Sequence, residues 1–385
     1  MIYKPLEEFA HISKEKYNPK ISNISFNCIE LEHIEQGTGR ILGHVNSDIQ
    51  KSTKNIFHPG NVLFGKLRPY LKKYAFPQIN GVCSTEIWVL CANKKYINDD
   101  YLYYLVQSSR FNKFANISTG SKMPRADWSL MKDIEFKLPS LNSQKYITDI
   151  LSTWDSAIDL KTKLIDAQTE VQNAIIQRIK RGKLEVDVNS CKWEKYRLKE
   201  IFGVRKKRFY ISDRLPLYSF TIQDGVSPKT DRYNREFLVV GKKQYKLTKY
   251  NDLVYNPANL KYGAISVNKN EHDVLISPIY ETLFIKDTEK YNIDYFKYFL
   301  TSSEMIKYYK SKVEGTLVER SAIKVDAFLL FSFSIPSIQV QNKIARILDK
   351  LSNNIQLLKN ELTQIELQKK GLMQQLLTGK IRVQC

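Results

Sequence analysis

The chain has 385 residues, 43% of them apolar, which is enough to bury two cores, so two domains are the first expectation. Lysine and arginine number 60 against 40 acids, a net charge of +20 that favours a polyanion such as nucleic acid as partner. Five cysteines (Cys28, Cys83, Cys91, Cys191, Cys385) show no CxxC spacing, the first residues are charged where a secretory signal needs an apolar core, and no apolar run approaches a membrane span. These features argue against a disulfide scaffold and a structural zinc site, and predict a cytoplasmic protein that does not enter membrane.

In chain order, residues 1–138 form a basic globular segment. It opens on LEEF at Leu6, continues through short β-rich runs such as NVLF at Asn61 and EIWVL at Glu86, and then carries DYLYYLVQSS from Asp100 and GSKMPR from Gly120. Residues 139–185 follow as a helical segment with balanced charge, starting at LPSLNSQKYITDIL and closing in IIQRIKRGK. Residues 186–334 repeat the globular pattern with LKEIF at Leu198, DLVYNP at Asp252, AISV at Ala264, DYFKYFLTSS from Asp294 and GTLVER from Gly315. Residues 335–385 repeat the helix, from IPSIQVQNKIARIL to LMQQLLTGK. Each globular segment reads as an α+β domain with a largely antiparallel sheet, whose aromatic residues are mostly core.

The second helical copy carries Ile344, Leu348, Leu351, Ile355, Leu358, Leu362, Ile365, Leu372 and Leu376 in alternating steps of four and three, broken at Lys369. The first copy keeps the same phase with Ile147, Leu151, Trp154, Ile158, Ile165, Ile175 and Ile179, interrupted by Lys161, Gln168 and Gln172. Pro139 and Pro336 end the strands before the helices, and Gly182 and Gly379 stand where a helix end wants a left-handed residue. Each helix spans about 38 residues, on the order of 57 Å. Its apolar stripe demands a partner, either another chain in a dimerisation coil or the other copy. Duplication favours the second solution, an antiparallel coiled coil about an internal pseudo-two-fold axis that holds two globules in inverted orientation.

The combination resembles the specificity (S) subunit of a Type I DNA restriction-modification system. FGKLRPYL from Phe64 and CSTE from Cys83 carry the likeness in the first globule, LVYNP from Leu253 and SPIY from Ser277 in the second, and KRGKL and LTGKI at the helix ends. The two globules depart from each other in detail, so one cannot be read by analogy with the other. The resemblance implies two target recognition domains that bind a bipartite, asymmetric target in double-stranded DNA. It also implies two methyltransferase subunits packed on this frame, with restriction subunits joined through the complex. Adenine-N6 chemistry, S-adenosylmethionine, ATP and magnesium would then belong to those partners, and this chain would hold no cofactor and no metal.

The residues agree with a non-catalytic role. YNPAN at Tyr255 approaches an adenine methyltransferase motif but has Ala258 in place of the second proline. No GxxxxGK[ST] is present, QGTGR at Gln36 reads as a turn, and DIEFK at Asp133 as a solvated strand. His11, His33, His44, His58 and His272 are scattered without ligand spacing. Candidate DNA contacts are Lys66, Arg68, Lys72, Lys73, Lys122 and Arg125 in the first globule, and Lys242, Lys243, Lys246, Lys261, Tyr262 and Arg320 in the second. Glu86 would hold Arg68 if the fold pairs them. The alternative is a coiled-coil scaffold whose basic globules bind RNA or a membrane surface; no RNA-recognition aromatic signature or basic amphipathic helix favours it.

Overall fold

The computed structural model describes residues 2–22, 24–117, 123–180, 193–228, 243–313 and 322–381. The chain divides into two compact units, 1–162 with 360–385, and 163–359. Both long helices are shared between them, and the division falls at Thr162 in one and Lys359 in the other, equivalent positions of the helical repeat.

In the first unit, strands run in order β1 (Ile2–Pro5), β2 (Ala10–Ile12), β3 (Lys16–Tyr17), β4 (Asn27–Ile29), β5 (Val45–Asn46), β6 (Lys54–Phe57), β7 (Val62–Gly65), β8 (Tyr74–Ala75), β9 (Gly81–Cys83), β10 (Ile87–Ala92) and β11 (Glu135–Leu138). They form a sheet β2-β10-β7-β8, a second sheet β3-β6-β9-β4-β5 and a ribbon β1-β11. Every pairing is antiparallel except β4 with β9. The second unit carries β12 (Glu194–Arg197), β13 (Phe202–Val204), β14 (Arg208–Phe209), β15 (Tyr218–Thr221), β16 (Gly225–Pro228), β17 (Tyr245–Thr248), β18 (Leu253–Tyr255), β19 (Ile265–Val267), β20 (Val274–Ile276), β21 (Glu281–Ile285) and β22 (Ser332–Ile335). Its sheet β13-β21-β18-β19 repeats the topology of β2-β10-β7-β8, and its ribbon β12-β22 repeats β1-β11. The chain thus adopts the α+β class expected from its sequence.

Each ribbon zips the first strand of a globule to its last, with Ile2 opposite Leu138 and Glu194 opposite Ile335. The proline that follows has no amide to extend the pairing, so the strand ends and a long helix begins. The helices run Leu141–Lys180 and Ile338–Leu377, two residues longer each than the heptad pattern suggests. Gly379 closes the second with φ +70°; Gly182 lies outside the described residues.

At each junction one buried glutamine fixes the helix to its globule. Gln144 accepts from the Asn98 amide (2.9 Å) and donates to the Tyr96 (2.8 Å) and Pro139 (3.1 Å) carbonyls. Gln341 repeats the set with the Asn292 amide (2.9 Å) and the Lys290 (3.1 Å) and Pro336 (2.8 Å) carbonyls. Asn98 and Asn292 precede the helices Asp99–Gln107 and Ile293–Leu300, so both similar tyrosine-rich segments start from the same bracket. Their buried faces then meet the long helices. Tyr104 donates to Asp155 and Tyr298 to Asp349, both at 2.6 Å.

The helical seam is antiparallel within each unit. In the first, Asp155 pairs with Lys369 and Lys161 with Glu361; in the second, Gln172 bonds Ser352 and Gln168 bonds Asn354. The polar residues that interrupt the heptads are therefore matched across the seam. All sixteen apolar seam positions are buried or half-buried. Ile176, Met373 and Leu377, off the heptad phase, join them in cores that helices and globule build together.

Tyr101 and Tyr295, equivalent in the two short helices, bury hydroxyls that have no partner among the described groups. Replacing Gln144 or Gln341 by alanine strands three backbone groups and is expected to lower unfolding free energy by roughly 2–4 kcal/mol in denaturant titrations. Tyr101→Phe and Tyr295→Phe remove only an unpaired hydroxyl, and the melting temperature should hold or rise.

Candidate nucleic-acid interface

In the first unit the β7–β8 connection is laced to two distant segments. The Lys66 amide donates to the Glu86 carbonyl (2.9 Å), the Arg68 amide to the Pro124 carbonyl (2.8 Å) and the Ala126 amide to the Lys66 carbonyl (2.8 Å). FGKLRPYL, CSTE and the end of GSKMPR, far apart in sequence, thus build one loop cluster. Pro69 is buried and anchors a short 3-10 turn, Pro69–Leu71, flanked by Arg68 (φ 52°) and Lys72 (φ 49°). Left-handed backbone at two non-glycine residues stores strain that the lacing must hold, a pattern concentrated at functional sites. The turn presents Arg68, Tyr70 and Lys72 to solvent. Behind it, the Gly37–Gly39 turn of QGTGR accepts and donates at Gly37, taking the Tyr74 hydroxyl (2.6 Å) and giving its amide to the Lys72 carbonyl (3.0 Å).

Arg125, not Arg68, takes Glu86. Its Nε and Nη2 donate to the two carboxylate oxygens at 3.0 and 3.3 Å on an exposed surface, which raises the guanidinium pKa further above its usual range. Lys66 is half-buried. Lys73 turns inward and donates to the Leu31 carbonyl at 2.6 Å, so the geometry gives it a structural place rather than the phosphate contact expected from the sequence. Lys122 lies outside the described residues.

The matching connection of the second unit, β18–β19, is tied in the same way. The Ile323 amide donates to the Pro257 carbonyl (3.0 Å), and the buried Tyr255 hydroxyl reaches the Ile323 carbonyl (3.4 Å). Tyr255 of YNPAN is therefore core, stacked on Phe328, with its ring closed to substrate. The connection ends in a turn, Leu260–Tyr262, closed by Gly263 at φ +90°. Tyr262 is 61% exposed and Lys261 lies over its ring at 5.3 Å. Lys243 is exposed, whereas Lys242 and Arg320 lie outside the described residues.

Lys246 overturns its expected role. It is 5% exposed and donates to Glu281 (2.8 Å) and the Tyr280 carbonyl (2.6 Å), because both faces of β17 are buried. A second inward pair was not anticipated: Arg205 grips buried Asp252 through both oxygens at 2.6 and 2.8 Å. Burial still holds the Asp252 carboxyl above its ordinary pKa, against the pull of Arg205 and the Lys249 amide. The adjoining Lys206, Lys207 and Arg208 are exposed, and their signal in the sequence was four consecutive cations, Arg205–Arg208. Among the described residues no three histidine, cysteine or acidic side chains cluster as for a metal, and no helix is long and apolar enough to cross a membrane.

These placements separate contact from support. Arg125→Glu is expected to weaken duplex binding several-fold at moderate salt while leaving the denaturation midpoint nearly unchanged. Lys246→Met should instead cost about 3 kcal/mol by stranding Glu281 and leave duplex affinity of the folded fraction unchanged. Paired denaturation and fluorescence-anisotropy titrations distinguish the two.

The family model described as the Type I restriction modification DNA specificity domain matches residues 5–169 and 191–367. The MjaVIII type I restriction enzyme specificity subunit of Methanocaldococcus jannaschii is 26% identical over 332 residues, covering 79% of this chain and 75% of its own length. The putative MjaX specificity subunit of the same organism is 27% identical over 314 residues, covering 77% and 71%. Among solved structures, the Type-I restriction-modification S subunit from M. genitalium shares the fold with a TM-score of 0.57 at 14% identity, over 97% of this chain and 95% of that one. A chain from a study of complex assembly and conformational transition in a type I system gives 0.57 at 15%, over 99% and 98%. With both halves of the chain matched, this protein belongs to the Type I restriction-modification DNA specificity family and is its non-catalytic specificity subunit.

Proposed function

We propose that the chain reads a split, asymmetric target in double-stranded DNA, one part with each globule, and positions methyltransferase and restriction subunits on it. The supporting observation is the repeated loop cluster. β7–β8 and β18–β19 occupy the same place in the same sheet topology and are fastened by the same kind of backbone lacing, yet their tips differ: exposed Arg68, Tyr70 and Lys72 against half-buried Lys261 and exposed Tyr262. A repeated frame with unlike tips suits two readers of two different sequences. Cations would fix the register on phosphates, and a few side chains would read base edges.

The long helices then act as spacers between half-sites. Forty residues at 1.5 Å each is on the order of 60 Å, or roughly 18 base pairs of duplex. Two methyltransferase subunits would pack on this frame, bind S-adenosylmethionine and flip the adenine into their own pockets for N6 methylation. ATP and magnesium would serve the restriction subunits. Such a complex works in the cytoplasm, where the DNA is.

Co-expression with the partner methyltransferase, followed by mapping of N6-methyladenine across host DNA, is expected to return one asymmetric motif in two parts with an unread gap. A continuous motif, or no modification despite a stable complex, would sink the reading.

A further inference from the structure

The proposed reading leaves one charged surface of the second unit unused. After Arg205 turns inward to Asp252, the chain runs Lys206-Lys207-Arg208-Phe209-Tyr210, all exposed, along β14. β14 is the edge of the sheet β14-β17-β20, with Arg208 opposite Lys246 and Phe209 opposite Tyr245. The segment is rigidly held. The Lys207 carbonyl accepts the Leu247 amide at 3.0 Å, and beyond it Ser212 and Leu215 exchange backbone bonds at 3.3 and 3.0 Å, turning the chain at Asp213-Arg214.

Two costs fall on this segment without any return among the described residues. Adjacent cations repel one another, and exposed aromatic rings stay in water. Lysines alone would be explained as guards of an edge strand against aggregation. Exposed Phe209 (39%) and Tyr210 (55%) work against such a guard, since they invite association. Cations interleaved with aromatics on a fixed extended strand instead suit a polyanion whose backbone alternates phosphate with apolar sugar.

Among the described residues, the strand that holds this place in the first unit presents no such surface. The strand in the same place, β3, ties Lys16 to Asn55 and buries Tyr17, while the preceding Glu15 reaches His58 at 3.0 Å. We propose that β14 and its flanks form a sequence-independent contact with the duplex backbone, present in the second unit and lacking in the first, so that the two halves grip DNA unequally. This rests on the DNA-reading function proposed above.

The test uses the complex with its methyltransferase and a duplex of arbitrary sequence, titrated across salt. The combined Lys206→Gln, Lys207→Gln and Arg208→Gln variant should weaken binding by roughly tenfold or more at physiological salt. It should also reduce the slope of log affinity against log salt by about 3. A variant with unchanged slope beside a binding wild-type complex overturns the proposal and leaves the DNA-reading function standing. A wild-type complex that binds no duplex of arbitrary sequence overturns this proposal alone, and one that binds no host DNA of any sequence overturns both. Should the triple variant fold poorly, a photo-crosslinking benzoylphenylalanine in place of Tyr210 gives an independent readout: attachment to the duplex is expected, and its absence in a complex that binds DNA overturns the site.

Discussion

One buried amide side chain at each strand-to-helix junction sets the geometry on which everything else depends. A helix of forty residues amplifies any error at its base, and rotation by a single residue, about 100°, would swing its apolar stripe away from the seam. Gln144 and Gln341 prevent that, because each satisfies a donor and two acceptors from separate segments at once. The interior raises the penalty for any other arrangement, since each of those backbone groups would be left dry and unpaired.

The seam adds a second level of specification. A purely apolar stripe could slide by a heptad or bind a second chain. Lys161, Gln168 and Gln172 remove that freedom, because each finds a polar partner in one antiparallel register. The duplicated positions need not be chemically alike for this to work. Asp155 with Lys369 in the first unit corresponds to Ser352 with Gln172 in the second, an ion pair replaced by a neutral hydrogen bond at the same place in the repeat. Divergence kept the pairing and let the chemistry drift.

The frame was legible in the sequence because helical periodicity and punctuation are local signals. The heptad phase named the seam, Pro139 and Pro336 marked the strand ends, and Gly379 the stop. The cores beyond that phase were not legible: Ile176, Met373 and Leu377 are buried in clusters that include globular residues, and only the fold says where those lie. The candidate contacts divided for the same reason. A lysine in a basic run looks alike whether its side chain faces water, as at Lys72, or turns back to a protein carbonyl or carboxylate, as at Lys73 and Lys246. Glu86 found Arg125 instead of Arg68 because the lacing of Arg68 to Pro124 carries the next residue, not Arg68 itself, over the carboxylate. Side-chain direction is a non-local fact, and composition is silent on it.

The division of the long helices between units bears on the order in which the chain can fold during synthesis. The second unit is one continuous stretch, 163–359, whereas the first needs residues 360–385, made after all of the second, to fill its core with Met373, Leu376 and Leu377 beside Ile147 and Leu151. The nascent first globule therefore waits, with an apolar gap, for some two hundred residues of translation. Once the second unit has formed, Gln168 is bonded to Asn354 and Gln172 to Ser352, and the loop that the first unit must close shrinks from the length of that whole unit to the short remainders of two helices. Closure entropy grows with loop length, so the inner unit acts as a clasp that lowers the barrier to completing the outer one.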